Sequence, residues 1–205
     1  MKKKWKWIAA LLALALLAGL WTWQYSRTQA YYRQYMSENL TEYYKMGEFV
    51  ELYGETGGQD ISGFSFRVNS KEYVPYGEYL KDRDMEDPLA GTFAIVPEKL
   101  LLVSVTIRNG NDFAGSFSLQ NFKMRGTGAA AHFENVLLLD ANPDIKSASV
   151  KLEYGEEITV VLPYSLQKDF YSDWTWSHIE KFDFRLGVTD VNGRVLTDKW
   201  VRINE

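Results

Sequence analysis

The chain has 205 residues, a formal charge of −4, two histidines and no cysteine. That length suits one domain, alone or on a stalk. The missing cysteines exclude disulfide staples and a lipid-modified N-terminal cysteine, so the fold must stand on an apolar core, for which an aromatic content of 15% is ample. The first 25 residues hold four lysines and no acid, so the remainder carries −8. Such acidity argues against nucleic acid, and against anionic lipid or wall polymer unless a metal ion bridges the charges.

The opening stretch, Trp5 to Tyr25, reads WKWIAALLALALLAGLWTWQY behind Lys2-Lys3-Lys4. At 1.5 Å per residue it is long enough, at roughly 30 Å, to match the hydrocarbon thickness of a bilayer. Trp5 and Trp7 at one end and Trp21 and Trp23 at the other stand where aromatic belts form, and the lysines place residues 1–25 as a cytoplasmic tail and transmembrane signal anchor. Everything after Tyr25 is then extracellular. The competing reading is a cleaved signal and a secreted domain; the first site of acceptable chemistry is Thr28-Gln29-Ala30, after bulky Trp21, Trp23 and Tyr25.

Residues 26–46 lack Gly and Pro, and Tyr32, Tyr35, Met36, Leu40, Tyr43 and Tyr44 recur at spacings of three and four. The spacing predicts a juxtamembrane helix with a tyrosine stripe, without the sustained heptads of a coiled coil. From Gly47 the period becomes that of strands. Glu48–Tyr53 is a first strand, and Phe64, Phe66 and Val68 alternate with polar residues. Glu72–Pro88 is a Pro- and Gly-broken connection with one helical turn at Glu78–Asp82. Leu100–Asn109 is the central strand, with Leu101, Val103, Val105 and Ile107 on one face. Phe117, Leu119 and Phe122 mark the next strand and His132–Leu139 another, with Ala129–Ala131 in a loop between them. Glu156–Tyr164 alternates again, and Phe182–Val188 pairs with Val195–Ile203 across Asn192-Gly193, a strong hairpin signal. Seven or eight strands without interleaved helices predict an antiparallel β-sandwich over residues 47–205.

The basic-apolar start, the LLVSVTIRNGND strand and turn, GEEITVVLPYSL, and the closing FDFRLGV to WVRINE hairpin give the chain a resemblance. It resembles the immunoglobulin-like extracytoplasmic domains of uncharacterised anchored or secreted proteins of Gram-positive bacteria. The resemblance implies an immunoglobulin-like sandwich at the cell envelope and carries no catalytic residue across.

His132 and His178 lack the ligand spacing of a zinc site, and no G-x-S-x-G elbow occurs. No cofactor is implied. Asp82, Asp84 and Glu86 place oxygens at alternate positions, as do Asp140, Asn142 and Asp144, but neither run has the Gly and Glu of an EF-hand; an irregular calcium site stays open, with a solvated acidic loop as the alternative. The strongest surface candidate is the aromatic loop Lys168–His178, with Tyr171, Asp173, Trp174, Trp176 and His178, and with Tyr76 and Tyr79 as a second aromatic group that would complete a groove if it converged. Alternation puts Trp174 and Trp176 on one side. The expectation is a non-enzymatic domain binding a protein partner, with a wall-glycan or small-ligand module as the alternative, and the oligomeric state left open.

Overall fold

The computed structural model describes residues 16–28, 39–90, 96–127, 129–192 and 195–204. The chain divides into two compact units, Met1–Leu40 and Thr41–Glu205. In the first, residues 16–28 form helix α1, in which Trp21 stacks on Tyr25 and both Trp21 and Trp23 are exposed. The Thr22 and Thr28 hydroxyls donate to the Ala18 and Gln24 carbonyls one turn back, the usual way such side chains are satisfied within a helix. Among the described residues no helix is long and apolar enough to cross a membrane. The stretch expected to do so begins earlier, and Trp5 and Trp7 lie outside the described residues.

The second unit is built of strands. β1 (Asn39–Lys45) is followed by the short β2 (Phe49–Glu51), β3 (Glu55–Thr56) and β4 (Gln59–Asp60), then by the long β5 (Phe64–Pro75) and helix α2 (Tyr76–Asp82). β6 (Lys99–Asn109), β7 (Gly115–Ser118), β8 (Lys123–Gly126) and β9 (Ala129–Phe133) lead to helix α3 (Asn135–Ala141). β10 (Ser149–Leu152), β11 (Glu157–Leu166), helix α4 (Asp173–Ser177), β12 (Arg185–Asn192) and β13 (Val195–Arg202) complete it.

The main strands run in the order β1-β13-β12-β8-β9-β11-β6-β5-β2, with β3 and β4 attached to β12 and a separate β10-β7 pair. Every register given is antiparallel. β9 pairs with β8 on one side and with β11 on the other, so one continuous ladder folds back on itself. The inward faces of its two halves meet in a single core, with Phe66, Val103, Val105 and Leu162 on one side and Met124, Leu186, Val188 and Val201 on the other. Two apolar inner faces meeting in one core is what the period-two alternation along these strands calls for.

β6 is central, between β5 and β11. Its run of four apolar residues has a physical reason: Leu101 and Val103 enter the main core, while Leu100 and Leu102 face the other way into a second cluster roofed by α2 and α3, with Tyr76, Tyr79, Leu89 and Leu137. Further along the same outer face the ladder is polar. There Thr106 hydrogen-bonds Thr159 across the strands and accepts from Asn69.

Several expected elements change. Asn39–Lys45, expected within the juxtamembrane helix, is strand β1 against β13; the rest of that segment, residues 29–38, lies outside the described residues. The compact unit accordingly starts at Thr41 rather than Gly47. Ala129–Ala131, expected in a loop, belongs to β9, and the Val136–Leu139 run expected as strand is helix α3. The helix places Leu137 and Leu138 in the cores and leaves Val136 and Leu139 exposed. It ends at Asn142, whose buried amide substitutes for a missing strand: Nδ2 donates to the Leu138 and Val161 carbonyls and Oδ1 accepts from the Val161 N–H. Val161 of β11 needs those partners because β9 pairs β11 only at Phe133 and His132.

Candidate functional site

The aromatic segment sits at the end of the β6–β11 pair where Lys99 lies opposite Leu166. Past Leu166 the chain makes a 3-10 turn, Lys168–Phe170, and then α4. Ser172 caps α4 by accepting from the Thr175 N–H at 3.1 Å. Asp173 follows in the first turn, where a carboxylate suits the helix dipole, and it pairs with Lys168 at 3.6 Å.

Helical geometry separates the two tryptophans. Two residues apart on a helix they diverge by about 200°, since each residue turns about 100°. Trp176 packs against the main core, 5.9 Å from the Tyr171 ring, and Tyr171 meets Phe182 and Phe184 edge-on. Burial pushes the Tyr171 hydroxyl up to about 12. Trp174 points outward, 73% exposed, and Phe170 beside it is exposed as well. The shared orientation expected from strand alternation is therefore overturned: Trp176 anchors the segment and Trp174 is displayed by it.

His178 stacks on Trp174, with ring centroids 4.9 Å apart. Ser177 Oγ donates to the Trp174 carbonyl at 2.8 Å, and His178 Nδ1 lies 2.9 Å from both that carbonyl and Ser177 Oγ. The contacts close the C-terminus of α4 by satisfying a carbonyl that the helix leaves orphaned. They place Ser177 Oγ and His178 Nδ1 together on the cap of α4. Beside it is a cleft of about 360 Å³ between Lys99, Trp176 and the His178–Lys181 turn, with Lys99 bridging to Glu180 at 3.1 Å.

Tyr76 and Tyr79 do not join this site. Both are buried in the α2–α3 cluster, where Tyr76 donates to Asp87 at 2.6 Å and Tyr79 to Asp140 at 2.7 Å, with the Arg83 guanidinium 3.9 Å from the Tyr79 ring centroid. Burial first, and then the carboxylate each one meets, raises both hydroxyls above the ordinary tyrosine range. Their spacing of three was the signature of a short helix packing inward, not of a surface groove. Among the described residues no three His, Asp or Glu side chains come together as a metal site, Asp82, Asp84 and Glu86 included.

Two features escaped the sequence reading. One is a buried ion pair, Lys199 with Asp190 at 3.1 Å, in which Asp190 also accepts from the Tyr53 N–H and Lys199 donates to the Glu51 carbonyl. Its signal was present: Lys199 shares the inward face of β13 with Val201, and Asp190 that of β12 with Leu186 and Val188. The other is a groove on the outer face of the β1-β13-β12-β8 half, lined by Tyr43, Arg125, Arg185, Asp198 and Trp200 among others.

By its fold this is a β-sandwich domain with short helices over one face and at one end. The chain belongs to the family described as "Domain of unknown function (DUF5028)", which matches residues 41–191. Among solved structures it is similar to the yjhA protein of Bacillus subtilis, with 16% identity and a TM-score of 0.44 over 76% of this chain and 99% of that one. It is similar also to a functionally unknown protein of Listeria monocytogenes (11% identity, TM-score 0.39, 71% of this chain and 79% of that one). A third is an uncharacterized β-sandwich protein of Clostridium difficile (10% identity, TM-score 0.32, 77% of this chain and 98% of that one). No curated protein matches the chain.

Proposed function

We propose that this protein is a non-enzymatic binding domain of the cell envelope, held at the membrane by its N-terminal segment with an immunoglobulin-like sandwich outside, and that it engages a protein partner through the α4 end. The observation that carries the reading is the exposed Trp174, stacked on His178 and mounted on a capped helical turn that Trp176 ties to the core. An exposed tryptophan with a fixed rotamer loses little conformational freedom on contact, which is why such residues concentrate binding energy at interfaces. A wall-glycan module would want two coplanar rings lining one groove, and here the rings of Trp174 and Trp176 face apart while Tyr76 and Tyr79 are buried. The partner reading is therefore the better supported. Support for a membrane attachment comes from the Lys-flanked apolar run of residues 5–25.

The test is site-specific photo-cross-linking in cells, with a photoreactive amino acid in place of Trp174 and, as control, in place of Lys151 on the exposed side of β10. A discrete protein adduct from position 174 alone is expected. Adducts with wall material, or equal labelling from both positions, would sink the partner reading.

A further inference from the structure

The outer face of the β1-β13-β12-β8 half is independent of the α4 end and carries different chemistry. Inward residues of these strands fill the core, so the alternate positions stand outward: Asp198, Trp200 and Arg202 on β13, Arg185 on β12, Arg125 on β8 and Tyr43 on β1. Trp200 lies flat in the sheet face and is only 5% exposed. Gly187 makes that possible. A Cβ there would meet the Lys199 carbonyl oxygen at 2.2 Å and the Trp200 ring at 2.6 Å, so only glycine lets the indole sit against the ladder.

The charges on this floor are unequal. Arg185 is spoken for, since it pairs with Asp183 and donates to the Tyr43 hydroxyl at 3.2 Å. Asp198 is held by the Thr189 hydroxyl. Arg185 and Arg202 bring their guanidinium carbons to 5.2 and 4.9 Å from the Tyr43 ring centroid. Arg125 differs: its guanidinium is 5.3 Å from the Trp200 ring centroid, and among the described residues it makes no ion pair with a carboxylate. The groove beside it holds about 270 Å³, with the side chains of Thr41, Tyr43 and Thr127 on its walls. That is below the range of about 300–1,000 Å³ that drug-sized ligands occupy, so the space suits one functional group rather than a whole ligand.

We propose that this groove is a binding site for a single anionic oxyacid group, a phosphate or carboxylate borne by a ligand, with Arg125 as the cation that receives it. The guanidinium lies over the Trp200 ring, 5.3 Å from its centroid, and its planar fork offers the two parallel N–H donors that match a carboxylate or phosphate edge. The hydroxyl of Thr41 supplies a neutral donor for a remaining oxygen, whereas that of Thr127 is turned to the Asp183 carboxylate. Asp198 on the same wall repels a second negative group, so the site favours one isolated anion over a polyanion. A negatively charged domain thereby keeps one place where an anionic group is welcome.

The experiment is calorimetric titration of the full chain in non-ionic detergent at low ionic strength with inorganic phosphate and, separately, acetate. Saturable binding of at least one probe at one site is expected, weakened about tenfold or more by Arg125→Gln. Arg125→Lys, which keeps the charge but loses the fork, should recover only part of the affinity, and serves as the second variant if the glutamine form fails to fold. Arg108→Gln, which removes an arginine from the other half of the sandwich, should change affinity by no more than about twofold. Tighter binding of phosphate assigns the group as phosphoryl, and tighter binding of acetate as carboxylate. No saturation by either probe, or equal weakening by Arg125→Gln and Arg108→Gln, overturns the site.

Discussion

Trp174 and Trp176 differ in fate because a five-residue helix, not a strand, carries them, and the sequence signal for that helix is the Ser172 cap with Asp173 behind it. Read as alternating aromatic positions, the pair shares one side; read with the cap, it divides into an anchor and a displayed ring. The Lys199–Asp190 pair went unread although its signal was there: charged residues fall on the inward faces of two strands that pair with Asp190 opposite Thr197 and Val188 opposite Lys199. Both side chains are almost wholly buried, so removing one partner strands the other charge away from water. Asp190→Asn and Lys199→Met are each expected to cost about 3–5 kcal/mol, and the double replacement less than the sum of the two. Urea unfolding of the three variants measures this, and a loss below about 1 kcal/mol from either single change would mean the pair behaves as an exposed one.

Among the elements, those with clean two-residue alternation were legible: β6, β11 and β13 form where the apolar pattern places them, while β5 runs on to Pro75 into the stretch expected as a connection and β12 starts at Arg185 rather than Phe182. The others failed for separate reasons. In Asn39–Lys45 the spacing of Leu40, Tyr43 and Tyr44 suits a helix, but Thr and Tyr favour a pleated surface and β13 offers an unpaired edge, so pairing decides. In Asn135–Ala141 four consecutive apolar residues fit a buried strand or a helix equally well; the helix wins because it packs Leu137 against the α2 cluster while Asn142 closes the β11 edge. Asn142 is therefore the residue on which that choice turns. Asn142→Ala is expected to lower stability by about 1–3 kcal/mol, because it leaves the Val161 N–H and C=O without partners. Amide hydrogen exchange should show the loss locally, as faster exchange at Val161 with little change at Val103 in the middle of β6. Unchanged exchange at Val161 would contradict the substitute-strand role.

At the scale of the whole molecule, the sandwich gathers tyrosines into its interior, and this gives stability a definite dependence on pH. Tyr164 is fully buried and burial holds its hydroxyl well above the ordinary value, while Tyr171 is pushed up to about 12 by the same cause. In the unfolded chain both ionise near the ordinary value of about 10. Their folded forms stay protonated to higher pH, so the unfolded state binds fewer protons between those limits and stability falls as pH rises. The contribution is intact below about pH 10 and is lost on the way to 12. Denaturant midpoints measured across that window should decline steadily, and the slope should lessen in Tyr171→Phe; a flat profile would mean that these hydroxyls are open to water. The candidate site was legible in the sequence as an aromatic segment, whereas the Arg125 groove was not, because its residues come from four strands spread along the chain from Thr41 to Trp200 and only the sheet order brings them to one face.

Trp174, displayed on a support that Trp176 ties to the core, is central to the proposed function. Its most direct test is affinity capture of the full-length chain from its native membrane beside a Trp174→Ala variant whose circular dichroism and urea midpoint match the parent. A specific protein recovered with the parent and lost with the variant is the expected result. Equal recovery from both, or retention of wall fragments alone, would contradict it.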